Sequence, residues 1–177
     1  MKLVFGMPVV GRDGDEAGTL DRVLVAPGRR EVTHVVVRPT RVSEDVLVPL
    51  SLVQGNNDGG LLLHAAAGDL ENMPRYYEGR TSSPPAGRVD TSVVREPAER
   101  RQDLERALGV AADALELGPG TQIGLSGGTP GNLLGLTTDQ YTNAVGELSV
   151  RVPGTVDEAR LPAGTLDELR SASNQRA

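Results

Sequence analysis

The chain contains no cysteine and no tryptophan, and only one Phe, three Tyr and two His among 177 residues. The missing thiols exclude a disulfide framework, a thiolate nucleophile and a cysteine-ligated metal. Such usage suits a reducing compartment. So few aromatics leave little on which nucleic-acid bases can stack. No run approaches the roughly 20 apolar residues of a membrane span. The start, Met1-Lys2-Leu3-Val4-Phe5-Gly6, is too short for the apolar region of a secretion signal and leads straight into a strand. A formal net charge of −6 and a pI near 5.0 oppose nucleic-acid binding, which needs a basic face. The expectation is a soluble cytoplasmic protein with no membrane span, no nucleic-acid partner and no cofactor.

What is present is aliphatic. Hydrophobic residues make up 38% of the chain, so the core must be built from Val, Leu and Ala. Each buried Val or Leu contributes roughly 1.5–3 kcal/mol. Short β-branched and leucine-rich runs alternate with turn residues from Gly6 to Val53. Val9-Val10, Gly18 to Val25, Val32 to Arg38, and Val46 to Leu50 read as strands. Arg12-Asp13-Gly14-Asp15 and Pro27-Gly28-Arg29-Arg30 read as turns. Asn56-Asn57-Asp58-Gly59-Gly60 is a turn that pairs Leu50 to Gln54 with a fifth strand, Leu61 to Ala65. Asp69 to Met73 reads as a capped helical turn stopped by Pro74. The pattern predicts a small antiparallel β-barrel.

Asp13-Gly14 with Gly18, the apolar Val23-Leu24-Val25, the run Val32 to Arg38, Asp45 to Leu50, and the closing Leu70-Glu71-Asn72-Met73-Pro74 occur in one order. In that order they resemble the PRC-barrel domain over about residues 1–77. The module is found in the reaction-centre H subunit and in the ribosome-maturation factor family. The resemblance implies a compact barrel that docks on other macromolecules, with no common active site. Neither of those two specific roles transfers, because here the barrel comes first and no membrane helix precedes it.

Beyond residues 1–80, residues 81–96 read as a linker and 97–117 as a connecting helix, with Leu104, Ala107, Leu108 and Ala111 on one face. Residues 118–170 read as a degenerate second copy of the first β unit. Gly120-Thr121-Gln122-Ile123 parallels Gly6-Met7-Pro8-Val9, and Glu147 to Arg151 parallels His34 to Arg38. Arg160-Leu161-Pro162 parallels Leu47-Val48-Pro49. The polar run Thr137 to Gly146 fits least well, and residues 171–177 read as a flexible tail.

Several patterns invite chemistry. Gly124-Leu125-Ser126-Gly127-Gly128 matches a nucleophile elbow, but an elbow serine needs a histidine after it, and His34 and His64 both precede it. The Gly127 to Asn132 run lacks the lysine of a phosphate loop, so a hairpin turn is the better reading. Asp13, Asp15 and Glu16 cluster without the spacing of a calcium loop, which favours a solvated turn. Two dispersed histidines do not make a metal site. The sharper candidates are interaction residues. Arg75, Tyr76 and Tyr77 combine residue types enriched at binding hot spots, although they would serve equally to plug the barrel end. Arg29 and Arg30, with Arg12 and Arg41, form a basic set on an acidic chain.

The chain therefore reads as a non-enzymatic, mainly β protein that docks on a protein partner, with homodimerisation through strand edges as one form of docking. A small-ligand or metal sensor using the cleft between the two copies is the alternative. A ribosome or RNA-processing assembly factor is a weaker one.

Overall fold

The computed structural model describes residues 1–26, 28–57, 60–76, 114–125, 130–155 and 157–166. The protein is mainly β. The strands of the first part are β1 (Lys2–Val4), β2 (Pro8–Val10), β3 (Glu16–Ala26), β4 (Glu31–Pro39), β5 (Val46–Pro49), β6 (Val53–Asn57) and β7 (Gly60–Leu63). The second part supplies β8 (Leu115–Leu117), β9 (Gln122–Gly124), β10 (Pro130–Thr138), β11 (Val145–Arg151) and β12 (Glu158–Pro162). Short 3-10 turns span Leu50–Leu52 and Ala67–Asn72.

One sheet runs β5-β4-β3-β2-β7-β6, with β8 added to β3. The other runs β1-β10-β11-β12, with β9 added to β10. Neither path closes on itself among the described residues. The expected antiparallel pattern holds except where β2 meets β7, which run parallel with Val9 opposite Leu61. The chain passes through β3 to β6 between these two strands, so no tight hairpin forces them antiparallel. The expected strand 50–54 is displaced. Leu50–Leu52 forms the 3-10 turn, and Val53–Asn57 pairs with β7. The expected 97–117 helix lies mostly outside the described residues, and its last three positions are strand β8. The linker 81–96 and the tail 171–177 also lie outside them.

The two sheets exchange strands. β1, at the start of the chain, pairs with β10, placing Leu3 opposite Leu136. β8, which leads into the second set of strands, pairs with β3, placing Leu117 opposite Val23. Leu3 and Leu117 are both fully buried. A single core cluster joins Val9, Leu20, Val23, Val35 and Val37 to Ile123, Leu133, Leu136, Leu148 and Val150. Gly135 lets β1 come close: a Cβ there would stand 2.2 Å from the Leu3 carbonyl oxygen.

The central ladders share one register. In β3·β4 the pairs are Leu20↔Val37, Arg22↔Val36, Val23↔Val35 and Val25↔Val32. In β10·β11 they are Leu133↔Val150, Gly135↔Ser149, Leu136↔Leu148 and Thr138↔Val145, at the same spacings. Each ladder carries two register shifts, and the spacings match through both. The next ladder agrees as well, with Val35↔Val48 and Val36↔Leu47 against Leu148↔Leu161 and Ser149↔Arg160. The polar run Thr137 to Gly146 contains the β10–β11 hairpin tip, the counterpart of the β3–β4 tip, which explains its polarity.

Candidate interaction surface

The face of β3-β4-β5 turned away from the main core carries a second, small cluster of Leu24, Val36 and Leu47. Tyr76 packs on this cluster. Pro74 follows the end of the 3-10 turn and sends the chain out extended. The Leu47 N–H donates to Pro74 O at 2.9 Å, and the Tyr76 N–H donates to Asp45 O at 2.8 Å. Arg75 lies opposite Val46 as an antiparallel bridge. Its side chain contacts Glu44 at 3.3 Å and donates to Glu71 O at 3.0 Å. The segment 74–76 is thus a short added strand on the outer edge of β5. Its aromatic ring covers the outer face instead of stopping the end of a barrel. Tyr77 lies outside the described residues.

Beside this cluster sits a charged network. Asp21 is buried, and its two carboxylate oxygens meet Arg22 and Arg38, each at 2.9 Å. Arg38 also reaches Asp45 at 3.2 Å. The hydrogen bond to Asp45, then the charges of Asp21 and Asp45, raise the Arg38 pKa above its ordinary value.

The structure separates the other sequence candidates. Arg29 and Arg30 are exposed at the β3–β4 tip, before Glu31. Arg75 joins β5 at Val46, opposite Val37 at the far end of β4, about 20 Å away by strand rise. Arg41 lies beyond Pro39, at that same far end, and contacts Asp15 at 3.9 Å. Arg12 sits in the β2–β3 turn closed by the Gly11 N–H to Asp15 O, at the same end of β3 as Arg41, so Arg29 and Arg30 share no patch with Arg12 and Arg41. Asp13 has a structural task, its carboxylate accepting from Ala67 N–H at 3.1 Å and fixing the 3-10 turn. Among the described residues no group of three His, Asp or Glu is placed to hold a metal ion. His34 is buried on β4 opposite Leu24 and Pro49, whereas His64 is exposed. Ser126 to Thr129 lie outside the described residues, and the flanking Gly124 and Pro130 pair as the ends of a hairpin.

The corresponding face of β10-β11-β12 differs. Where the first ladder has Arg22, Val36 and Leu47, the second has Gly135, Ser149 and Arg160. At Gly135 the backbone of β1 takes the place of a side chain, and beside it Ser149 borders a groove of about 400 Å³. Val4, Phe5 and Leu134 give it apolar walls; Lys2, Ser149, Arg151 and Glu158 supply polar groups. Among the described residues nothing pairs with the outer edge of β12. At the opposite end of this sheet, the Asn56 side chain covers β1, donating to Lys2 O at 2.8 Å. A smaller pocket of about 180 Å³ lies where Met1 and Leu50 meet Asn56, Gln140 and Asn143. The sequence parallels set Ser149 against Val36 and Arg160 against Leu47, but no surface was read from them; the ladder register adds Gly135 against Arg22.

No helix among the described residues is long and apolar enough to cross a membrane. No curated protein matches the sequence. The family model for the PRC-barrel domain matches residues 3–69, the stretch from within β1 through β7 to the first half of the second 3-10 turn. Over residues 3–69 the chain thus carries a match to the PRC-barrel domain family.

Proposed function

We propose that the protein is a non-enzymatic docking module of the cytoplasm, built from a PRC-barrel domain and a second, divergent copy of it. The observation that carries this reading is the outer edge of β12, which pairs with nothing among the described residues, beside an open groove. A strand edge with free backbone donors and acceptors binds extended chain, and a neighbouring pocket adds selectivity. The shared register of β3·β4 and β10·β11 supports two copies of one unit. The test is affinity capture from the native cell lysate with the whole chain. One protein recovered in a fixed ratio to the bait, and retained in moderate salt, is the expected result. Recovery of no protein above a control bait would end the docking reading.

The sensor reading has the 180 Å³ pocket in its favour, since Gln54, Asn56, Gln140 and Asn143 place carboxamides around it. It requires a small polar ligand that raises the melting temperature in a thermal-shift screen.

A further inference from the structure

We infer that the outer edge of β12 takes an extended segment of a partner protein, added antiparallel, with an aromatic side chain seated in the groove over Ser149. This rests on the docking reading and specifies its site and ligand.

The chain shows the binding mode on its own β5. There an extended Pro74-Arg75-Tyr76 segment receives a hydrogen bond from the Leu47 N–H and donates one to the Asp45 carbonyl. Its aromatic ring then folds onto Val36, Leu24 and Leu47. The register places Arg160 where Leu47 stands and Ser149 where Val36 stands. It follows that the Arg160 N–H and the Glu158 carbonyl point outward from β12, ready for the same pair of bonds. On β5 these positions are filled by the chain. On β12 nothing among the described residues fills them.

The face below is recessed, not flat. Ser149 is smaller than Val36, its counterpart in the first ladder, while at Gly135 the backbone of β1 takes the place of a side chain. The groove of about 400 Å³ is within the range of sites that enclose a ligand group. Phe5 offers an aromatic neighbour, and Lys2 and Arg151 offer cations. A ring with a polar tip, such as tyrosine, fits this lining better than an aliphatic side chain.

A second copy of the chain is a poorer occupant. Self-pairing of β12 about its centre sets Arg160 against Arg160, and like charges directly opposite destabilise a ladder. Pro162 has no N–H to give.

The experiment is an NMR titration of the isotope-labelled full chain with a synthetic peptide copying residues 72–76. Two control peptides replace the tyrosine by alanine or methylate its backbone nitrogen. Expected are saturating shifts at Gly135, Ser149, Glu158 and Arg160. Both controls should bind about tenfold more weakly or worse, as loss of a central aromatic anchor or of the edge bond requires. Arg160→Pro should remove the response, because it deletes an outward N–H without breaking a bond to β11. The methylated peptide makes the same test should that variant fail to fold. Unmoved β12 resonances at millimolar peptide, or equal binding by the methylated peptide, would overturn the inference. If that happened while whole-chain capture still recovered a partner, the docking reading would stand and this site would not.

Discussion

Arg30 and Asn143 face each other across the join between the two sheets, each lending its carbonyl to the other's hairpin. Val32 N–H donates to Asn143 O at 2.9 Å, and Val145 N–H donates to Arg30 O at 2.7 Å. Between them Glu31 and Ala144 form an isolated antiparallel bridge. Both residues have positive φ, 54° for Arg30 and 58° for Asn143. The left-handed region costs a non-glycine residue roughly 1–2 kcal/mol, less for asparagine. Arg30→Gly should therefore change stability by less than about 1 kcal/mol, because lost strain offsets added chain entropy. Arg30→Val should cost about 1 kcal/mol or more, since a β-branched side chain fits this region worst. Urea unfolding of the two variants checks the contrast. The Arg30→Gly chain also isolates any role of the guanidinium in binding, because the backbone join is kept.

The exchanged strands predict that the halves unfold together. Leu3 and Leu117 are fully buried, each on a strand that completes the sheet of the other half. Leu3→Ala and Leu117→Ala should each cost about 2–5 kcal/mol. The loss should appear in one cooperative transition, detected alike by probes on β4 and on β11. A fragment of residues 1–80 removes β8 from β3 and leaves β1 without β10. Its amides should exchange far faster than those of the whole chain. Equal protection of β3 and β4 in the fragment would show that the first half stands alone.

Much of this fold is legible in the sequence. Val9, Val23, Val35 and Val48 announce strands by composition and spacing, and Gly14 and Gly28 mark turns. Arg160-Leu161-Pro162 and Leu47-Val48-Pro49, parallel in sequence, take corresponding positions in their two ladders. Strand exchange is not legible. Lys2–Val4 and Leu115–Leu117 are three-residue strands whose partners lie far along the chain, and nothing local to them chooses β10 or β3. The interaction surface was read from residue types, which single out Arg75 and Tyr76 but give no edge. Tyr76 is instead committed to its own sheet. Among the described residues the open edge falls at Arg160, which the sequence marks only as the counterpart of Leu47.

The buried carboxylate of Asp21 predicts a local cost. It holds Arg22 and Arg38 at 2.9 Å each. Asp21→Asn keeps the shape but removes the charge that both guanidinium groups share, while Arg38 keeps Asp45. About 1–2 kcal/mol should be lost, the lower part of the range for hydrogen bonds to charged groups, because Arg38 is well exposed. A double-mutant cycle with Arg38→Gln measures the coupling. Additive losses would mean the pair contributes nothing of its own.

Asp139 predicts a pH dependence. Its carboxylate accepts from Thr142 N–H at 2.8 Å, Tyr141 N–H at 2.9 Å and the Thr142 hydroxyl at 3.1 Å. These bonds, the Thr142 N–H foremost, hold its pKa below the ordinary carboxylate value. A depressed pKa means the folded state favours the ionised form. The contribution is present above the ordinary carboxylate range and is lost as pH falls through the lower, folded value. Carboxyl carbon NMR should show Asp139 titrating below the ordinary aspartate range. In Asp139→Asn the turn should lose its order without any such titration, and protection of the Val32 amide should fall with it.

Thr138 predicts a stabilising change. It occupies the place on β10 that Val25 has on β3, opposite Val145 as Val25 is opposite Val32. Its backbone is satisfied: the N–H donates to Met1 O at 2.7 Å, and its carbonyl accepts from the Met1 amino group. Its side-chain hydroxyl is buried and finds no hydrogen-bond partner among the described residues. A buried hydroxyl without a partner costs about 1–3 kcal/mol of desolvation. Valine has the same branched shape and no such cost, and it is what the first ladder already uses. Thr138→Val should therefore raise stability by about 1 kcal/mol, visible as a higher urea midpoint with an unchanged slope. A lower midpoint would mean that the hydroxyl is satisfied in solution, by water entering beside Met1.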